Sequence, residues 1–202
     1  MSSLELKETA LDGALAGALP VVIVLASGRG ERFLASGGST HKLYALLGDK
    51  TVLQHTLDAV RASGLPWHLE DAGHPGMGDS IAAAVQATAD ASGWLILPAD
   101  LPLIRPETLR QVALADPAHA VVVPVYEGQG QRLRGHPVRF MKTCGPQLMQ
   151  LQGPKGAALV MQAHAVVEIT VTDIGCVTDI DTLADLQRAQ ALLSQWHQPP
   201  TQ

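Results

Sequence analysis

Val21-Val22-Ile23-Val24-Leu25-Ala26-Ser27-Gly28-Arg29-Gly30-Glu31-Arg32 is an apolar, β-branched run that breaks into a glycine-rich, basic loop. No polar residue alternates along Val21 to Ala26, the pattern of a strand buried on both faces of a sheet. Glycines at its exit let backbone N–H groups approach an anion closely. Arg29, Arg32 and then Lys42 collect positive charge in and after the loop, which points to a polyphosphate. A second apolar run, Trp94-Leu95-Ile96-Leu97, leads into Pro98-Ala99-Asp100. Asp100 therefore falls at the carboxyl end of a buried strand, where open α/β sheets bind ligands. There it can hold the magnesium that accompanies a polyphosphate.

Outward from this pair of strands, helical and extended patterns alternate. Positions 52, 53, 56, 57 and 60 have helical spacing over Thr51–Ser63, and Gly64 is placed to stop that helix. Ser27–His41 reads as a long loop, flexible by composition at Gly37-Gly38-Ser39-Thr40, and Trp67–Leu69 as a short strand. Asp79 or Ser80 can cap a helix over 81–91. Pro106 suits a helix's first position, and Glu107 complements its dipole. Ala120–Val125, Val138–Phe140 and Val166–Val171 read as strands, the second after a glycine-rich connection. Pro146–Leu151 and Ala157–Ala163 read as helices. Thr182 and Asp185 form a capping box for a last helix reaching about Gln195. Strands alternating with helices predict an α/β fold around a mostly parallel sheet. Residues 1–19 are expected to be a leader, 20–195 one domain, and 196–202 a loose tail.

With 202 residues, 47% hydrophobic and 16% charged, the chain can bury a substantial core. A net charge of −5 argues against nucleic acid as a partner, and 3% aromatic content argues against base-stacking platforms. Cys144 and Cys176 are too few and too separated for a zinc ribbon or redox pair, and fit reduced thiols in the cytoplasm. Residues 1–20 lack the basic start and apolar block of a signal peptide, and no apolar stretch approaches the roughly 20 residues that span a bilayer. No membrane role is expected.

Two familiar phosphate motifs fail. Phe33 stands where a dinucleotide fingerprint needs its third glycine, and Glu70 or Asp71 lies about 40 residues on where about 20 is expected. Lys42 lacks the frame of a Walker A loop. No Ser/His/Asp or Cys/His hydrolytic arrangement is expected, and His41, His55 and His164 read as structural or solvated.

Leu25-Ala26-Ser27-Gly28-Arg29-Gly30-Glu31-Arg32, followed by Lys42-Leu43, resembles the LAAGxGxR…KL signature of MobA-like nucleotidyltransferases. Gly76-Met77-Gly78-Asp79-Ser80-Ile81 is similar to the GMGSSI segment of that family's molybdenum cofactor cytidylyltransferases (MocA-like). Ala99-Asp100-Leu101-Pro102, Arg134-Gly135-His136-Pro137-Val138 and Asp179-Ile180-Asp181-Thr182 resemble its ADxP, RGHPV and DIDT segments, in family order.

The resemblance implies a single Rossmann-like three-layer domain and Mg²⁺-dependent nucleotidyl transfer. The donor would be an NTP, CTP by the wording of Ala26-Ser27 and Gly76–Ile81. The acceptor would be Mo-molybdopterin, giving molybdopterin cytosine dinucleotide and pyrophosphate, with a molybdoenzyme or its chaperone as recipient. Lys42, Arg32 and Asp100 would be catalytic. Leu25, Ala26, Ser27, Gly28, Gly30, Arg32, Lys42, Gly78 and Ser80 would bind the nucleotide. His136, Asp179 and Asp181 would face the acceptor, and Asp100 and Asp181 would hold the metal. Transfer from GTP or to another acceptor is the rival of the same chemistry; a noncatalytic molybdenum-cofactor carrier is the rival of another class.

Two departures stand out. Only Gly64–Pro75 separates the first helix from the Gly76 motif, so part of one βαβ segment, about 30 residues in full, is missing. Base recognition is expected to be looser for it. Phe33-Leu34 also replaces the family's glycine after the loop arginine, leaving Gly37 or Gly38 to supply the turn.

Overall fold

In the computed structural model, which describes residues 19–128 and 130–196, strand β1 (Val21–Leu25) is the second strand from one edge of a seven-stranded sheet. Two short strands that follow, β2 (Leu46–Leu47) and β3 (Lys50–Thr51), pair only with each other. In the main sheet β1 runs parallel to β4 (Trp67–Glu70) on one side and β5 (Gly93–Pro98) on the other. Beyond β5 come β8 (Val138–Met141), antiparallel to it, then β6 (Val121–Gly128), and β9 (Val166–Val171), parallel to β6. The sheet is mostly parallel, as the sequence predicts. The glycine-rich connection holds a strand that the sequence reading misses: β7 (Gln131–Arg134) folds back on the far half of β6 as a hairpin. Its four residues are all exposed, so no apolar pattern announces it.

Uninterrupted apolar strands bury side chains on both faces, and this sheet does so. Val22, Val24, Leu95 and Leu97 enter one core with Val52, Leu57 and Val60 of helix α2 (Val52–Ser63) and Leu109 and Val112 of α4 (Pro106–Ala113). Ile23, Trp94 and Ile96 enter the opposite core with Ile81 and Val85 of α3 (Met77–Ala87). Leu148 of α5 (Gly145–Leu148) and Val160 of α6 (Ala158–Gln162) complete that second core. Two helical layers thus sandwich the sheet, the three-layer α/β architecture. Each fully buried Leu, Ile or Val contributes about 1.5–3 kcal/mol of transfer free energy, which is why these strands need no polar alternation.

Local signals hold at several ends. Thr51 and Gln54 close a reciprocal capping box at the start of α2, with bonds of 2.8 and 3.2 Å, and Gly64 stops it at φ +70°. The Thr182–Asp185 box opens α7 (Leu183–Trp196), with Asp185 Oδ2 accepting from the Thr182 N–H at 2.7 Å. Trp196, expected in the tail, is the last residue of this helix, and the Arg105 guanidinium lies 4.9 Å from its ring centroid. Of the expected leader only Leu19 is described, packed on the first core, and 1–18 and 197–202 lie outside the described residues.

Two elements differ from expectation. The stretch expected to be a long loop contains a short helix, α1 (Glu31–Ala35), because Phe33 is buried at 1% exposure and anchors it. Gly37, at φ +103°, makes the turn, while a Cβ on Gly38 would meet the Phe33 ring at 2.4 Å. Helix α3 begins at Met77, not at 81, and neither Asp79 nor Ser80 is its cap; Gly76 is. The Asp79 carboxylate instead accepts from the Gly153 N–H at 2.9 Å. Between α2 and α3 only β4 remains, in keeping with a shortened βαβ segment.

Candidate active site

The carboxyl ends of β1 and β5 lie side by side, Leu25 in register with Pro98. Two hydrogen bonds then fix the loop that leaves β5: the Ala99 N–H donates to the Leu25 carbonyl at 3.0 Å, and Thr56 Oγ1 of α2 to the Ala99 carbonyl at 2.9 Å. The next carbonyl, that of Asp100, accepts from the Ile180 N–H at 3.0 Å. That bond brings the segment carrying Asp179 and Asp181 to Asp100, across the sheet end.

Asp173, buried and not singled out by the sequence, sets the path of that segment. Its carboxylate accepts from the Arg105 N–H, Thr108 Oγ1 and the Gly175 N–H at 2.7–2.9 Å. Gly175 packs so closely that a Cβ there would meet the Leu103 carbonyl at 1.9 Å. An aspartate two positions before a glycine carries little sequence signal, although side-chain-to-backbone bonds two residues on are typical of aspartate.

Lys42 is the centre of the site. Its Nζ lies 2.6 Å from Asp100 Oδ2 and 2.7 Å from Asp181 Oδ1, while Arg32 Nη1 reaches Asp181 Oδ2 at 2.8 Å. Residues separated in the chain as far as 32, 42, 100 and 181 thus form one charge network. Burial pulls the Lys42 ammonium down, but Asp100 and Asp181 outweigh it and its pKa lies above the ordinary lysine value. The Lys42 hydrogen bond, with Arg32 helping, holds Asp181 below the usual carboxylate range. His41, read from sequence as structural or solvated, is structural. Its Nε2 donates to the Gly28 carbonyl at 2.7 Å, and its Nδ1 accepts from the Leu43 N–H at 3.3 Å. It ties the glycine loop to the turn that presents Lys42.

Lys42 lines three cavities. A first, of about 300 Å³, is walled by Leu25, Ser27, Gly28, Met77 and Ser80 and reaches Asp100. Ser27 Oγ and Ser80 Oγ are 2.7 Å apart on its wall. A second, about 380 Å³, takes in Gly28, Gly30, Arg32 and Asp181. A third, about 520 Å³, includes Asp100, His136, Asp179 and Asp181. Most sequence-predicted residues therefore meet. Ala26 and Gly78 do not line these cavities. The Ala26 N–H donates to the Glu70 carbonyl, and Gly78 is buried against Gln152 and Gly153, where a Cβ would come within 2.9 Å of backbone. Their small size serves packing behind the wall.

Among the described residues no group of three or more His, Cys, Asp and Glu forms a ready cation site. Asp100 Oδ1, however, is buried with no hydrogen-bond partner, and Asp181 stands across Lys42 from it. Two carboxylates at a cavity wall fit a small hard cation, which takes few protein ligands and completes its shell with water or ligand oxygens. On the acceptor side, burial pushes the His136 imidazole below its ordinary pKa against the pull of Asp100, and its Nδ1 is buried and unpartnered. Asp179, exposed as a residue, has a carboxyl raised first by desolvation and then by Asp100, Asp181 and Asp185. No described helix is long and apolar enough to cross a membrane.

The fold is shared with known proteins. Rv0371c of Mycobacterium tuberculosis H37Rv is 25% identical, with 86% of this chain and 97% of that chain covered at a TM-score of 0.69. Molybdopterin-guanine dinucleotide biosynthesis protein A of Archaeoglobus fulgidus is 18% identical, covering 86% and 98% at a TM-score of 0.63. The 2-C-methyl-D-erythritol 4-phosphate cytidylyltransferase of Thermus thermophilus is 18% identical, covering 87% and 99% at a TM-score of 0.61. A curated Escherichia coli (strain K12) protein, the putative LysR family substrate binding domain-containing protein YagP, is 78% identical over 23 residues; these are 11% of this chain and span 17% of that protein's length. Residues 58–169, more than half of the chain, match the family model described as MobA-like NTP transferase domain, and the chain belongs to that family.

Proposed function

We propose that this chain transfers a nucleoside monophosphate from an NTP to a phosphorylated acceptor. The observation that carries the reading is Lys42, held by Asp100 and Asp181 where three cavities meet. The NTP lies in the first cavity with its phosphates toward Lys42, the Gly28–Gly30 loop and Arg32. The acceptor lies in the third, against His136 and Asp179. An acceptor phosphate oxygen attacks the α-phosphorus in line, a new P–O–P bond forms, and the bond to the β-phosphate breaks to release pyrophosphate. That oxygen is already anionic, so no general base is needed and catalysis reduces to positioning and charge neutralisation. Lys42 moves from its carboxylates to the phosphates as they arrive, so that its charge is matched at each stage. Asp100 and Asp181 would hold a divalent cation, Mg²⁺ in this reading, which would supply further positive charge to offset that of the transition state.

For the substrates we infer CTP and Mo-molybdopterin, the product being molybdopterin cytosine dinucleotide, made in the cytoplasm and passed to a molybdoenzyme or its chaperone. The Gly76–Ile81 segment supports cytidine, and a molybdopterin-dinucleotide protein with the same fold supports the pterin. The solved complex of Rv0371c with manganese, 24% identical at a TM-score of 0.65, supports a divalent ion.

The test incubates purified protein with Mg²⁺, Mo-molybdopterin and each NTP in turn, reading pyrophosphate and product mass. The expected result is the cytosine dinucleotide with CTP. Release of pyrophosphate with GTP alone replaces the donor, and none with any NTP returns the chain to a noncatalytic carrier.

A further inference from the structure

Glu70, at the end of β4, and His74, in the short segment between β4 and α3, play no part in the mechanism above. Glu70 ends β4 in register with Leu25 and is 6% exposed. Its Oε1 accepts from the Ala72 N–H at 3.1 Å and lies 3.4 Å from His74 Nε2; its Oε2 lies 3.7 Å from His68 Nε2. Each carboxylate oxygen therefore faces an imidazole, and the backbone holds one of them as well. The His74 ring is half-buried and lines the same cavity as Ser27, Lys42 and Ser80.

We propose that His74, braced by Glu70, reads the edge of the nucleotide's base and selects bases that carry an exocyclic amine. The proposal rests on the first cavity being the nucleotide site. A carboxylate only accepts hydrogen bonds, so Glu70, 3.4 Å from His74 Nε2, favours the tautomer that carries its proton there and offers Nδ1 as an acceptor. In this proposal Nδ1 is the atom that meets the ligand. Lys42 and Arg29 make the cationic end of the cavity, and Pro75, Met77 and Pro154 offer apolar surface for a base plane. An acceptor at that edge pairs with the amino group of cytosine. The carbonyl that uracil presents at the same place faces it lone pair to lone pair.

The experiment titrates CTP, UTP and inorganic tripolyphosphate by calorimetry into the wild type, His74→Ala, Glu70→Gln and the double variant. The wild type is expected to bind CTP about tenfold more tightly than UTP, the effect of one hydrogen bond gained against one lost. His74→Ala brings that ratio close to one and leaves tripolyphosphate affinity unchanged. Glu70→Gln lowers the ratio in the wild-type background and has no further effect on top of His74→Ala. A ratio unchanged in His74→Ala overturns the proposal, as does an equal loss of CTP and tripolyphosphate affinity, which would make His74 a loop anchor only. An equal effect of Glu70→Gln in both backgrounds overturns the bracing role. Failure of the wild type to bind any nucleotide overturns the nucleotide reading together with this one, so the two failures are distinguishable.

Discussion

Lys42 and Asp100, 58 positions apart in sequence, meet at 2.6 Å, and the same ammonium spans to Asp181 at 2.7 Å. One cation between two carboxylates lets those carboxylates share a sheet end without mutual repulsion. In the proposed reaction it also stores a positive charge where phosphates would arrive. The pair is stable over a wide pH range. Asp181 has a lowered pKa, so its contribution is present above the ordinary carboxylate pKa and is lost as pH falls through the lowered value. Lys42 has a raised pKa, so its contribution is present below the ordinary lysine value of 10.5 and is lost as pH rises through the raised one. Chemical denaturation of wild type and Lys42→Met at several pH values is expected to give a constant difference between about pH 6 and 9.

Lys42→Ala is expected to weaken both NTP binding and turnover, because a phosphate-facing cation acts in ground and transition states alike. A loss on the order of 100-fold in turnover corresponds to about 3 kcal/mol, the usual cost of one electrostatic contact at a reacting phosphate. Unchanged titration and unchanged rate would make Lys42 a partner of the two carboxylates and nothing more.

Asp100→Asn keeps the shape of the side chain and its contact with Lys42 but removes the charge that draws a cation. The variant should show wild-type circular dichroism, at least about 100-fold lower turnover, and a higher Mg²⁺ requirement. Near-normal turnover at ordinary Mg²⁺ would remove Asp100 from the metal role.

The strands were legible because burial on both faces leaves an unbroken apolar run, as at Val21–Leu25 and Gly93–Pro98. Sites at their ends followed, since Asp100 needs only to come directly after such a run. What was not legible depends on contacts between distant segments. β7 is exposed and takes its form from β6. Asp173 acts through Arg105 and Thr108, far away in sequence. Gly78, expected from the resemblance to bind the nucleotide, sits where a Cβ would meet the Gln152 backbone at 2.9 Å. The start of α3 was misplaced for the same reason, since Asp79 found its partner at Gly153 instead of in its own helix.

Gly175→Ala tests how the acceptor-side segment is held. A Cβ there would overlap the Leu103 carbonyl, which is backbone and cannot swing aside. Melting should drop by several degrees, corresponding to about 2 kcal/mol or more for such overpacking. Asp181 should shift with its segment, so Mg²⁺ affinity falls too. A variant with wild-type melting would show that the two loops yield easily.

Both cysteines should be inert in the native protein. Cys144 and Cys176 are buried, and burial, with Asp173 nearby, pushes the Cys176 thiol up to about 12. The thiolate is the reactive form, so labelling by a maleimide at about pH 8 should be negligible until denaturant is added, when both residues react. Rapid labelling of one thiol in the folded protein would mean that the wall of the third cavity, where Cys176 lies, opens readily.

The acceptor side gives the last prediction. His136 lines the third cavity with Asp179, and its backbone N–H is fixed to the Cys176 carbonyl at 2.9 Å. Its Nδ1 is buried with no hydrogen-bond partner, and we propose that the acceptor supplies one. Burial lowers its pKa, which favours the neutral ring, and with a hydrogen bond to the Ile96 backbone already made, one position remains for a pterin's edge. His136→Ala should therefore reduce acceptor affinity about tenfold, the loss of one well-placed hydrogen bond, and leave CTP affinity unchanged. Calorimetry with each substrate separately distinguishes the two. Loss of CTP affinity with acceptor affinity preserved would reverse the assignment of the cavities, and with it the direction from which the acceptor phosphate reaches the α-phosphorus.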